Sequence, residues 1–224
     1  GSGRFNSTTN GQGTYPVVAD PEDTDFNQAY LSYGGIPDTK IHGGRRVINL
    51  DNQRFVGSVG WRQNEQSFDS ATILNSSLED LTAQYTYAWG VQRIFGGDSA
   101  AGDWDTRSHF VNVSYGGFSL GKITGYAYLL DLDNDAALRS TRTFGVRFSG
   151  AYQMDPVKLL YTAEFAHQSD YANNPNSMGL PYIHLEPGIA YAGFTAKVGI
   201  ESLGGDGSDG FQTPYATLHK FQGW

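Results

Sequence analysis

Basic residues crowd one stretch of this 224-residue sequence. Arg45, Arg46, Arg54 and Arg62 fall close together, with Asp51 and Glu65 among them. A guanidinium is permanently charged and has no acceptor lone pair, so it serves neither as nucleophile nor as general base. What it does well is attract and hold anions. Set on a loop inside a pore, such arginines would form a field for anions, while the nearby carboxylates would limit the free width. The same arginines could instead pair with wall carboxylates and pin the loop. Both readings remain open at this point, and both can hold together.

Bond-making chemistry finds little support elsewhere. Cysteine is absent, which removes thiol nucleophiles and cysteine metal sites. The five histidines, at 42, 109, 167, 184 and 219, form no i, i+4 metal pair. No G-x-S-x-G nucleophile elbow exists. Glu164 and Glu201 could be imagined as a glycosidase pair, but wall carboxylates are the simpler reading. GGDGSDGF, at 204–211, matches the calcium nonapeptide pattern once, and that architecture needs stacked repeats. DLDND, at 131–135, begins like an EF-hand, yet Ala136 stands where Gly is required and Arg142 where Glu is required. We therefore expect no enzyme activity, no metal site and no cofactor.

The elements that would position the arginines come next. LTAQYTYAWGVQ, at 81–92, alternates throughout, a period of two that means a β-strand. Tyr85, Tyr87, Trp89 and Val91 share one face; Gln84, Thr86 and Gln92 share the other. The alternation recurs at 143–154, 157–168 and 193–201, with weaker copies at 27–34, 38–48, 67–77, 105–115, 118–131 and 181–191. Charged residues are 17% and aromatics 14%, with a mean hydropathy of −0.42 and no run long enough for a membrane helix. Apolar residues hidden at alternate positions fit an all-β transmembrane barrel. The net charge of −8 argues against a nucleic-acid partner.

Connection lengths sharpen the fold. Long polar loops follow residues 94, 131, 168 and 203, and tight turns stand at Gly116-Gly117, Asp155-Pro156 and Ala192-Gly193. Strict alternation of long and short is the mark of an up-and-down antiparallel barrel with short periplasmic turns. Phe55, Val59 and Trp61 alternate, so 49–66 can be read as a hairpin containing another strand, but that reading breaks the parity. The preferred reading is a single long connection, predicted to fold inward as a constriction loop within one barrel domain spanning 1–224. With the aromatic faces toward lipid, Gln84, Arg147, Lys158, Glu164 and Lys197 line the lumen, with Arg93 near a strand end. Arg45 shares parity with Ile41, which looks lipid-facing, so a bulge at Gly43-Gly44 would be needed to turn it inward.

The block NQAYLSYGGIPDTKIHGGRRVINLDNQRFVGSVGWRQNEQSFDSATI, with YAYLLD at 126–131 and FQTPYATLHKFQGW at 211–224, resembles the alginate-export-type outer-membrane porins of Gram-negative bacteria. The resemblance implies longer chains than this one, so a larger barrel extending beyond the strands visible here is expected. About eleven strands are visible, an odd count where bacterial single-chain barrels are even-numbered. It also implies a monomeric or homo-oligomeric channel in the cell outer membrane, bounded by lipid and lipopolysaccharide. The expected function is passive diffusion of small anionic or carbohydrate solutes. The rivals are a barrel that exports an anionic polysaccharide and a secreted carbohydrate-binding β-protein.

Overall fold

A computed structural model describes residues 4–21, 24–132, 136–217 and 219–222. The alternating stretches form strands: β1 (Ala29–Ile36), β2 (Thr39–Arg46), β3 (Ser67–Asn75), β4 (Leu81–Gln92), β5 (Asp103–Phe118), β6 (Gly121–Leu130), β7 (Thr141–Met154), β8 (Val157–Asp170), β9 (Gly179–Tyr191), β10 (Phe194–Lys197) and β11 (Ile200–Leu203). Each pairs antiparallel with its sequence neighbour from β1 to β10, which makes a meander. β10 and β11 both pair with β9 in one continuous register, Lys197 opposite Gly188 and Ile200 opposite Leu185. They are two halves of the single strand expected over 193–201. β1 pairs with β2 alone, so the sheet is open among the described residues.

Short and long connections alternate as expected. Residues 37–38, 76–80, 119–120, 155–156 and 192–193 turn at one end, and 47–66, 93–102, 131–140 and 171–178 form loops at the other. The third turn lies beyond Gly116-Gly117, because β5 continues to Phe118 through a register shift after Tyr115. No strand forms within 47–66, although Phe55, Val59 and Trp61 alternate; Val56 makes one isolated bridge to Tyr215. Residues 133–135 of DLDND lie outside the described residues.

The two faces differ sharply. On the outer face Leu31, Phe144, Phe165, Ile183, Leu185, Phe194, Val198 and Ile200 stand exposed on strand after strand. A continuous apolar band of this kind is stable against lipid rather than water. The inner face is buried and rich in hydroxyls: Ser70, Thr72, Thr86, Ser108, Thr124 and Thr143. Several pair across strands, such as Thr72 with Thr86 at 2.9 Å and Ser114 with Thr124 at 2.9 Å. No helix among the described residues is long and apolar enough to cross a membrane.

Trp89 interrupts the parity of β4. The register steps from Ser70 opposite Ala88 to Asp69 opposite Gly90, leaving Trp89 as a bulge. Tyr85 and Trp89 face outward as expected, both exposed. Val91, expected beside them, is turned to the inner face, where it is buried opposite Phe68. One extra residue reverses every position that follows it.

Candidate constriction site

The loop 47–66 and the segment 204–217 pack together on the inner face. Gly57 N–H donates to the Tyr215 carbonyl at 2.9 Å, and Val59 N–H to Thr217 Oγ1 at 3.0 Å. Buried Gln66 uses its amide nitrogen twice, to the Gly57 carbonyl at 2.8 Å and the Tyr215 carbonyl at 3.2 Å. These bonds satisfy backbone that would otherwise be orphaned in a buried loop. Ile48, Leu50 and Val56 supply the apolar part of the contact.

Phe55 is the centre of that contact. Its ring lies 5.4 Å from Tyr126, 6.1 Å from Tyr128, 5.2 Å from Tyr182 and 5.9 Å from Phe211. Tyr126 and Tyr128 are stacked at 4.8 Å. Each tyrosine of the group also serves a carboxylate. Tyr126 donates to Glu164 at 2.8 Å, Tyr182 to Glu201 at 2.8 Å, and Tyr128 to Asp51 at 3.5 Å. Gly145, the register partner of Tyr126, makes the first of these possible: a Cβ there would collide with the tyrosine ring that crosses it toward Glu164 on β8.

The acids are closed by further partners. Arg54 is 2% exposed and grips Glu201 with Nε at 2.6 Å and Nη2 at 3.3 Å. Arg147 pairs with Glu164, and Asn112 donates to Asp51 at 2.7 Å. Arg54 and Asp51 therefore pin the loop to the wall instead of presenting charge to a channel. Lys197 pairs with Glu186 at 2.9 Å on the inner face. Gln84 reaches Thr86 at 3.3 Å, and Lys158 is exposed on the inner face near the short-turn end.

Arg45 stands apart. The β2–β3 ladder runs unbroken from Thr39 to Arg46, so no bulge at Gly43-Gly44 shifts it. It stays on the face of Ile41, clamped to Asp69 at 2.7 Å and to Asp25 at 3.1 Å. It is not a constriction residue. Arg46 faces inward over the Tyr30 ring at 5.7 Å. Arg62 lies over Trp61 at 4.1 Å, and Glu65 lines a cavity of about 160 Å³ with Gln63, Asn64 and Arg93.

Arg93 sits where the loops converge. It stacks on Trp104 at 3.7 Å and donates to the Ala101 carbonyl at 3.1 Å; Arg139 approaches the same indole at 5.4 Å. Burial first, and then Arg139, lowers its pKa to about 10, which still leaves it charged at neutral pH. Burial pushes the nearby Tyr215 phenol up to about 12. Arg46, Arg62, Arg93 and Arg139 have no carboxylate partner within ion-pair distance among the described residues.

Sequence reasoning missed Tyr126, Tyr128, Tyr182 and Phe211 as inner residues. One signal was present: Tyr126 and Tyr128 share parity with Thr124, a residue type of the hydroxyl-rich inner face.

Residues 3–178 match the model of a family described as alginate export. No curated protein matches the chain in sequence. Three solved structures are similar in fold. OpdL of Pseudomonas aeruginosa is 15% identical, with a TM-score of 0.64, covering 84% of this chain and 51% of that one. A BenF-like porin from Pseudomonas fluorescens Pf-5 is 16% identical, with a TM-score of 0.61 and coverage of 74% and 43%. OccAB4 of Acinetobacter baumannii is 14% identical, with a TM-score of 0.60 and coverage of 77% and 43%. The chain thus spans about half the length of these porins or less. The shared fold is the antiparallel transmembrane β-barrel of outer-membrane porins.

Proposed function

The chain belongs to the alginate-export family, which sets it in the Gram-negative outer membrane, and from that premise we propose that its barrel is a passive channel for small anionic or carbohydrate solutes. The observation that carries this reading is the division of charge on the inner side. Asp51, Glu164 and Glu201 are held by Asn112, Arg147 and Arg54, while Arg46, Arg62, Arg93 and Arg139 have no carboxylate partner among the described residues. These arginines, with Glu65 set among them, draw anions toward a section narrowed by the loop 49–66. In support, a porin of similar fold, OpdK of Pseudomonas aeruginosa, has been solved with vanillate.

The test is ion selectivity of the full-length protein in planar bilayers. Reversal potentials under a salt gradient should show anion preference. Arg62→Gln with Arg93→Gln should lower the anion-to-cation permeability ratio at least about twofold, since each removes an unpaired charge from the path. A protein that forms no channel, or a ratio unmoved by both substitutions, sinks the reading.

The family's description favours a second reading, export of an anionic polysaccharide. Under it, oligouronates added on the short-turn side should interrupt the current and be recovered on the loop side.

A further inference from the structure

Register alone sorts the outer face of β5 to β8 into ranks. His109 lies opposite Leu129, Leu129 opposite Arg142, and Arg142 opposite Ser169. Toward the short turns the next rank is Val111, Ala127, Phe144 and His167, and the one after is Val113, Gly125, Val146 and Phe165. Toward the loops, Arg107 N–H bonds the Asp131 carbonyl at 2.9 Å, which sets Arg107 one rank above His109. The wall therefore changes from apolar to basic within two ranks.

Arg142 is exposed and spends Nε on Ser169 at 2.8 Å; its two terminal nitrogens make no hydrogen bond among the described residues. Arg107 is 61% exposed and is held upright by the mostly buried Asp131 carboxylate at 3.1 Å. His109 is fixed by the Tyr85 hydroxyl at 2.8 Å, and His167 is exposed. Four adjacent strands span roughly 14 Å at about 4.8 Å per step. Farther out, β5 carries Asp103 and Asp105, acids that repel phosphate and so confine the contact to a narrow strip.

We infer that this strip is a docking surface for a phosphorylated glycolipid of the outer leaflet. The apolar ranks receive the acyl chains, and Arg107 and Arg142, with His109 and His167 beside them, receive the phosphates. Guanidinium donors suit phosphate oxygens in geometry as well as charge. The loop end of an outer-membrane barrel is the side that meets this leaflet. The inference rests on the membrane setting and not on the channel reading.

The experiment uses the full-length protein in detergent micelles, with bisphosphorylated lipid A and the same lipid after enzymatic dephosphorylation as probes. The wild-type protein should bind the phosphorylated form at least about tenfold more tightly. Arg107→Gln with Arg142→Gln should abolish that preference, Arg142→Gln alone should reduce it, and Arg142→Lys should restore part of it. Lys158→Gln, on the opposite face, should leave it intact. Equal binding of the two lipids by the wild-type protein overturns the inference even if a variant fails to fold. A double variant that keeps the preference overturns it as well. Conductance of Arg142→Gln should match wild type, which separates this test from that of the channel.

Discussion

Arg54→Ala should cost the protein about 3–5 kcal/mol, the range for breaking a buried ion pair from one side. Arg54 is 2% exposed, and its partner Glu201 has an 18% exposed side chain. Without the guanidinium, the carboxylate keeps the Tyr182 hydroxyl but loses its counter-charge. The loop also loses its link to β11, so single-channel current should grow noisier and larger. Ion selectivity should shift toward cations, because Glu201 is left with an uncompensated negative charge on the inner face. Unfolding of the protein in detergent by heat or denaturant measures the first effect, and bilayer recording the second. Arg54→Met with Glu201→Gln should recover most of the stability, since removing both charges leaves nothing uncompensated. Stability equal to wild type in Arg54→Ala would overturn the pinning role.

Phe55→Ala should cost a similar amount, about 3–5 kcal/mol for a truncated buried aromatic. The ring touches two strands and the returning segment at once, through Tyr126, Tyr182 and Phe211. Its loss leaves a hole that three large rings cannot readily fill. The channel should widen, with conductance rising and permeability to larger uncharged sugars appearing in liposome swelling. Phe55→Leu should cost less than about 1.5 kcal/mol and keep the wild-type exclusion limit, because a similar volume stays in place. Identical sugar uptake by wild type and Phe55→Ala would show that this ring does not set the width.

The wall was legible in the sequence because a strand declares itself within a dozen residues. LTAQYTYAWGVQ placed Tyr85 and Trp89 on the lipid side, and loop parity favoured 49–66 as one connection over a hairpin with a further strand. Two local exceptions were marked only faintly. The Trp89 bulge turns Val91 inward, and Gly90 is the one cue beside the extra position. Tyr126 and Tyr128 look like lipid-facing aromatics, and only their parity with Thr124 hints otherwise; Gly145, under the ring of Tyr126, makes room for the inward side chain. The interior was legible as a list of charges but not as pairs. Arg54 and Glu201 are 147 positions apart, and no spacing rule joins them. Arg45 and Asp69 were hidden differently: an ion pair on the apolar face contradicts the rule that sorted every neighbour.

The bridge between loop and returning segment carries a consequence for the order of events. The hairpins of the sheet join residues that are close in the chain, so the wall can zip up strand by strand. Gln66 and Tyr215 meet across 149 positions, and Arg54 and Glu201 across almost as many. Contacts of such separation come late, after the intervening chain has already been ordered. The packing of the loop against the returning segment therefore forms last. The wall stands first, and the segment around Tyr215 returns afterwards to meet residues laid down long before it.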